Sequence, residues 1–337
     1  MPKRPHSTEP PPSEPRFLTG PGSAPPPGPA GIVTPPSRCA LFGVAVSDQD
    51  RFIAVAHDNG VVGLYQPVFA EKMRITGPMI AGRGHERARS VTFEPGSGRG
   101  YACFVTGGVD GTIRTWHLEE NTRDKDLYFH TASVNSLAFD AASTRLFSGS
   151  EDGTIAITRW PDATLERSLT AHDGAVLSVA VSQSASQLAS GGADGCVYLW
   201  SPTGTRIARI DDGSRGMVWG VHFLDDERVL FSKGGGIFEW SERVGCRLVF
   251  KNNERFRSLR GLAVRSDGIE CAFGNGNALV TLRLATGDTR QRIGHDGEVN
   301  GVAYLADGRI ASTADDGALL VWGSDDKPVL RLHAGSA

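Results

Sequence analysis

No stretch of the 337 residues approaches the run of about eighteen apolar residues that a membrane-spanning helix needs, so no membrane partner is expected. Neither sign of charge dominates. The 35 Lys and Arg against 38 Asp and Glu leave a formal net charge of −3, which gives no general pull toward nucleic acid or an anionic surface. Cysteine is scarce. Cys39, Cys103, Cys196, Cys246 and Cys271 are odd in number and far apart, with no Cys-x-x-Cys pair and no neighbouring His to complete a zinc site. They read as reduced core residues of a cytoplasmic protein. A glycine-rich phosphate loop is also missing, so no cofactor and no metal are expected.

Proline is scarce everywhere except at the start, where 13 of the 19 fall within residues 1–37, among Gly, Ser and Thr. Such a segment cannot bury enough apolar surface to offset the entropy of ordering it, and residues 1–37 are read as a disordered Pro-rich tail. No hydrophobic stretch follows Lys3 and Arg4, so a secretory leader is not expected. Pro12 and Pro15 have P-x-x-P spacing, and Pro25 to Pro29 form a short polyproline run. Two readings stand for this tail: a flexible spacer, or a ligand for an SH3- or WW-type groove.

The remaining chain, residues 38–334, is organised by a repeat. An apolar residue, a variable one, Gly or Ser, and another apolar residue recur around Gly43, Ser90, Ser136, Ser178, Gly220, Gly261 and Gly301. The separations are 47, 46, 42, 42, 41 and 40 residues. A period near 40 residues with strand-like alternation predicts radially repeated small sheets, each unable to bury its faces alone. The small residue fits strands that crowd around one axis.

The fourth repeat shows one unit most clearly. Strands are predicted over Val176–Val181, Gln187–Ser190, Cys196–Trp200 and Arg206–Ile210, with Ala193-Asp194-Gly195 as a tight hairpin turn. The expectation is an all-β fold: a seven-bladed β-propeller of four-stranded antiparallel blades. Every repeat has its own candidate outer strand, from Lys72–Ile75 in the first to Pro328–His333 in the last. The ring is therefore expected to close by packing of the first blade on the seventh, the alternative being an extra strand from Ile32-Val33.

Several repeats share a His before the first strand, Ser or Thr in the second, Asp-Gly in the turn and Trp ending the third. These are His85, Thr106, Asp110 and Trp116; His172, Ser190, Asp194 and Trp200; and His295, Ser312, Asp316 and Trp322. The third repeat keeps His130, Ser148 and Asp152 but has Thr158 in place of Trp. Through these residues the chain resembles the WD-repeat β-propeller family. The resemblance implies that they form a buried hydrogen-bonded network, structural in role. A hydrolase triad of Ser, His and Asp is disfavoured because the trio recurs four times at equivalent depth, whereas an active site needs one exposed nucleophile. The first, fifth and sixth repeats lack the set, and their blades are expected to be softer.

The resemblance also implies where partners bind: on the narrow face, through the residues flanking the first apolar residue of each inner strand and the one before the turn Asp. Phe42, Leu177, Met217 and Trp219 would form an apolar centre, with Arg87, Arg89 and Arg260 around it and Asn135, Lys233 and Asn300 completing the set. Trp219 would mark an interface hot spot or plug the channel. The leading reading is a non-enzymatic protein–protein interaction scaffold that binds a protein or peptide within a larger complex. The alternative is a nucleic-acid- or phospho-ligand-binding propeller using Arg87, Arg89 and the cluster Arg255, Arg257 and Arg260.

Overall fold

The computed structural model describes residues 39–68, 74–83, 85–96, 103–117, 122–252 and 258–333. The Pro-rich tail, Ile32-Val33, Arg255 and Arg257 lie outside the described residues. The described chain is all-β apart from one short 3-10 turn at Asp48–Asp50, and 28 strands make seven four-stranded antiparallel sheets. Each sheet uses four consecutive strands in chain order, so each repeat is one blade of a seven-bladed propeller.

Alternation explains the strands. The second and third strands of a blade are covered on both faces by neighbouring blades and read as near-continuous apolar runs, such as Ile53–His57 and Ala318–Trp322, wholly buried. The outer strands meet solvent on one face and alternate, as in Arg206–Ile210, where only Ile210 is buried. Packing between blades fills the core. Phe147, Ile155 and Ile157 of the third blade lie against Val176, Val179 and Leu188 of the fourth.

The small residue of the repeat sits where neighbouring inner strands approach most closely. A Cβ on Gly43 would come within 3.2 Å of the Arg89 carbonyl oxygen, and one on Gly301 within 2.8 Å of the Phe42 carbonyl oxygen. Where serine stands instead, its hydroxyl spans the gap. Ser90 donates to the Val134 carbonyl at 2.9 Å, while Ser136 and Ser178 accept the amides of Val179 and Val221 at 3.0 and 3.1 Å.

The ring closes without strand exchange among the described residues. The seventh blade is built entirely from Val299–His333, and Leu41, Ile53 and Val55 of the first blade pack against Leu305, Ala311 and Leu319. Asp50 seals the seam, its carboxylate accepting the Ala306 amide at 2.8 and 3.0 Å. Burial raises the Asp50 pKa against the pull of that amide.

Two expectations need correction. The first blade's outer strand is described from Arg74 and runs on to Arg83 rather than ending at Ile75, while Lys72 and Met73 lie outside the described residues. The strand carries Gly77-Pro78 at a register shift opposite Tyr65, on an edge strand where a proline without an N–H is tolerated. Four of the five cysteines are buried, but Cys246 is exposed, because it lies on the outer strand of the fifth blade with one face in solvent.

Candidate functional site

The apolar residues of the repeat stand three apart, as in Leu41 and Val44 or Val134 and Leu137, whereas a regular strand returns to the same face every two residues. The extra residue is a β-bulge. In the first blade Leu41 pairs with His57 and Gly43 with Ala56, which leaves Phe42 unpaired; Arg89, Asn135, Leu177, Trp219 and Asn300 occupy the same place in their blades. In the sixth blade the irregularity falls one place later, and Gly261 takes a φ of +63°. A bulge re-aims the side chain it carries. Here Phe42, Arg89, Asn135, Leu177, Trp219, Arg260 and Asn300 all line one axial cavity of about 280 Å³.

Contacts between adjacent blades hold this collar in place. The Arg89 guanidinium lies 4.3 Å from the centre of the Phe42 ring, and that of Arg260 lies 4.8 Å from the centre of Trp219. Arg260 donates to the Asn300 side-chain oxygen at 3.0 Å, and the Asn300 amide donates to the Leu41 carbonyl and to Asp315 at 3.1 and 2.7 Å. Asn135 donates to the Val176 carbonyl at 3.0 Å. Outside the collar the entry loops and the turns after the second strand are tied together. Asp58, Val109, Glu151 and Ala193 each donate their amide to the residue before the inner strand of their own blade, at 2.8 to 2.9 Å.

The remaining predicted contact residues divide. Met217 is 45% exposed beside the collar. Arg87 is exposed at the rim and pairs with Asp58 at 2.6 Å, which ties the second blade to the first. Lys233 is a correction: it is buried, and its Nζ sits 2.6 Å from Asp212 and 3.5 Å from Asp211. The triple-glycine turn of the fifth blade brings no Asp of its own to bind the entry loop, and Lys233 fastens that loop from beneath.

The histidine sets lie deeper. His172 Nδ1 is 2.9 Å from Asp194, its Nε2 is 2.8 Å from the Ser190 hydroxyl, and Trp200 donates to that hydroxyl at 2.9 Å. Around His85 the distances are 3.1 Å to Asp110 and 2.9 Å to Thr106, with Trp116 donating to Thr106 at 2.8 Å. Around His295 they are 3.1 Å to Asp316 and 2.8 Å to Ser312, with Trp322 donating to Ser312 at 2.8 Å. His130 reaches Ser148 at 2.8 Å and Thr154 at 3.0 Å, with Asp152 at 3.4 Å, while the buried Thr158 hydroxyl has no partner among the described residues. Burial lowers the pKa of His130 and His172. It takes His85 down to about 4, helped by Arg114 and opposed by Asp110. Burial works against the Asp316 carboxylate, yet hydrogen bonds from His295 and the amides of Asp296 and Ala318 bring it to about 2.

Three features escape the sequence reading. Arg114 contacts His85 and pairs with Asp110 at 2.9 Å and Asp126 at 3.4 Å, so the second blade carries a charged addition to its network. The Asp50 seam joins residues about 250 positions apart. The bulge was detectable, because its signature is the three-residue apolar spacing.

Among the described residues no group of His, Cys, Asp and Glu could hold a metal ion, and no helix is long and apolar enough to cross a membrane. Residues 122–158, 163–201 and 287–323 match the family model described as WD domain, G-beta repeat. Each match begins at or just before the outer strand of one blade and ends within two residues of the end of the third strand of the next. No curated protein matches the chain. Propellers of this kind commonly mediate contacts between proteins.

Proposed function

The chain is a seven-bladed propeller carrying WD repeats, and from that premise we propose that it is a non-enzymatic scaffold that docks a protein or peptide partner on the narrow face, around the channel mouth. The observation that carries this reading is the collar. Six of its seven positions are bulged from the ladder, and the seven together hold two aromatic rings, two arginines, two asparagines and a leucine where a filled hub would need only small apolar groups. Aromatic and Arg side chains gathered at the centre of a rigid surface, with polar residues around them, have the composition of interface hot spots. Met217 extends the apolar centre, and Arg87 belongs to the polar rim.

A repeated network offers no single nucleophile with its own oxyanion site, which weighs against catalysis. The nucleic-acid alternative loses support because Arg87 is engaged by Asp58 while Arg89 and Arg260 lie against rings, so no continuous basic stripe forms from the described residues. Four buried free thiols suit a reducing compartment such as the cytoplasm. In this reading residues 38–334 are the binding unit and residues 1–37 a Pro-rich tail attached to it.

A photo-cross-linker placed at Met217 tests the proposal against the same group at Ile207, on the outer strand of the fourth blade. The Met217 probe is expected to capture a discrete protein that Ile207 does not, and Trp219→Ala to abolish that capture in a folded chain. Capture indifferent to Trp219→Ala would refute this surface.

A further inference from the structure

Two of the seven collar positions carry half-buried arginines, which, like the buried Arg292 of the sixth blade but unlike Lys233 and Arg114, have no carboxylate at hydrogen-bond distance among the described residues. Lys233 meets Asp212 and Arg114 meets Asp110. Arg89 has no hydrogen-bond or carboxylate partner among the described residues: the Phe42 ring shields it, and its Nε is buried without an acceptor. Arg260 gives one Nη to Asn300 and stands 3.7 Å from Glu298, which is itself well exposed, and its Nε is also without a partner. Burial, then the nearby Arg87, bring the Arg89 pKa below the ordinary guanidinium value against the opposing pull of the Asp58 and Glu151 carboxylates, with Arg260 adding a weaker push downward.

The uncharged lining between them adds donors. Ser136 and Ser178 accept backbone amides from the next blade, so their hydroxyl hydrogens are left to point elsewhere, and both residues border the cavity. Two like charges and two hydroxyl donors around one hollow create a positive potential that an anion would relieve. A cavity of about 280 Å³ has room for one short side chain with a few waters of about 30 Å³ each, but not for an α-helix about 10 Å across.

We propose that the channel mouth receives the side-chain carboxylate of a Glu or Asp on the docked partner, clamped between Arg89 and Arg260. The inference rests on the docking reading above and names the chemistry of that partner's central contact. A planar carboxylate matches the guanidinium fork and forms the strong, charge-assisted class of hydrogen bond. Phe42 and Trp219 then act as backing plates that keep the two guanidiniums facing inward.

The full chain is titrated with glutarate and, at the same ionic strength, with glutaramide. Binding is read as the fluorescence difference between the protein and its Trp219→Phe variant, which isolates the ring beneath Arg260. A saturable response to glutarate and none to glutaramide is expected. The response should weaken about ten-fold or more in Arg89→Gln/Arg260→Gln and by a smaller factor in Arg89→Lys/Arg260→Lys, because lysine keeps the charge but loses the fork and the stacking on the rings. Circular dichroism melts establish that each variant is folded, and the glutarate–glutaramide contrast in the unaltered chain needs no variant at all.

Absence of a saturable glutarate response, or an equal response in the Gln variant, overturns the proposal. Tighter binding of inorganic phosphate than of glutarate overturns it in favour of a phosphate-bearing ligand. The Met217 cross-link separates the two readings. If the cross-link persists while glutarate fails to bind, only the carboxylate clamp falls. If glutarate binds but no partner is captured, the clamp stands and the docking reading falls.

Discussion

The fourth and fifth blades share a backbone but are fastened internally by different means. In the fourth, the residue facing the inner strand next to its small position is Ser190, held by His172 and Trp200. In the fifth, the equivalent position is Phe231, fully buried and stacked 5.3 Å from Phe238. The sixth blade uses buried Phe273 beside Phe250, and the first uses buried Val55. The blades lacking the histidine set therefore replace the hydroxyl as well as the histidine. Removing both partners of a buried hydrogen bond in favour of apolar groups can be neutral, whereas removing one leaves the other unpaired. This gives a physical reason to revise the expectation that these blades are soft.

The largest test of that comparison imports half a network into the wrong blade. Phe231→Ser deletes a buried ring and adds a hydroxyl with no histidine to meet it, and it should destabilise the protein by roughly 3–5 kcal/mol in urea unfolding. A loss below about 1 kcal/mol would mean that the apolar fill contributes little.

The second test removes a histidine from each kind of blade. His172→Leu removes one partner each from Asp194 and Ser190, which keep only backbone amides and the Trp200 indole, and should cost roughly 1–3 kcal/mol. His57, buried in the first blade, has no hydrogen-bond partner on either ring nitrogen among the described residues, and burial brings its pKa to about 4. His57→Leu should therefore change stability by less than about 1 kcal/mol, in either direction. Equal losses at the two positions would erase the distinction between networked and apolar blades.

Acid should act on both kinds of blade. His57 and His85 bind protons less readily folded than unfolded, so the unfolded chain takes up more protons between pH 6.5 and about 4. Their contribution is fully present above pH 6.5 and is lost as pH falls toward 4. Asp316, with its folded value near 2, contributes above its ordinary value of 3.8 and loses that contribution as pH falls toward 2. The melting temperature is expected to be flat from pH 7 to 8 and to fall steadily below 6.5. His57→Leu should make that fall shallower, and an unchanged pH profile would contradict the assignment.

The smallest effect belongs to the third blade, which is intermediate in kind. Thr158 stands at the Trp position with its hydroxyl buried and unpartnered among the described residues, and Trp160, two places on, packs edge-on against Phe139 instead of joining the network. Thr158→Val should be neutral or stabilise by up to about 1 kcal/mol, read as a rise in melting temperature. A clear loss would show that the hydroxyl is satisfied in solution.

Most of the architecture was legible because it is repeated. A strand boundary that is ambiguous once becomes definite when seven copies agree, as with Val176–Val181 and Arg206–Ile210, both found where the alternation puts them. Local chemistry with no repeat behind it was harder to read. The first blade's outer strand runs past Ile75 through Gly77-Pro78, and Cys246 has the composition of a core residue but an outward-facing register. For the site, the collar positions could be identified from their place beside the small residue, but whether each side chain is free, paired or buried could not. Arg87 and Lys233 look alike in sequence as basic residues of the narrow face. One pairs with Asp58 across a blade boundary in the open, and the other lies beneath a loop against Asp212.

The amino-acid order by itself determined the number of blades, most of the strands within each, the small residues that let inner strands meet, and which blades carry histidine sets, because all of these follow from short-range periodicity. Only the tertiary structure decided how the ring is sealed at Asp50 and Ala306, which cations are matched by carboxylates, and that Arg89 and Arg260 face one hollow. Those outcomes depend on residues tens to hundreds of positions apart being brought within a few ångströms, and nothing local in the chain encodes the partner across the gap.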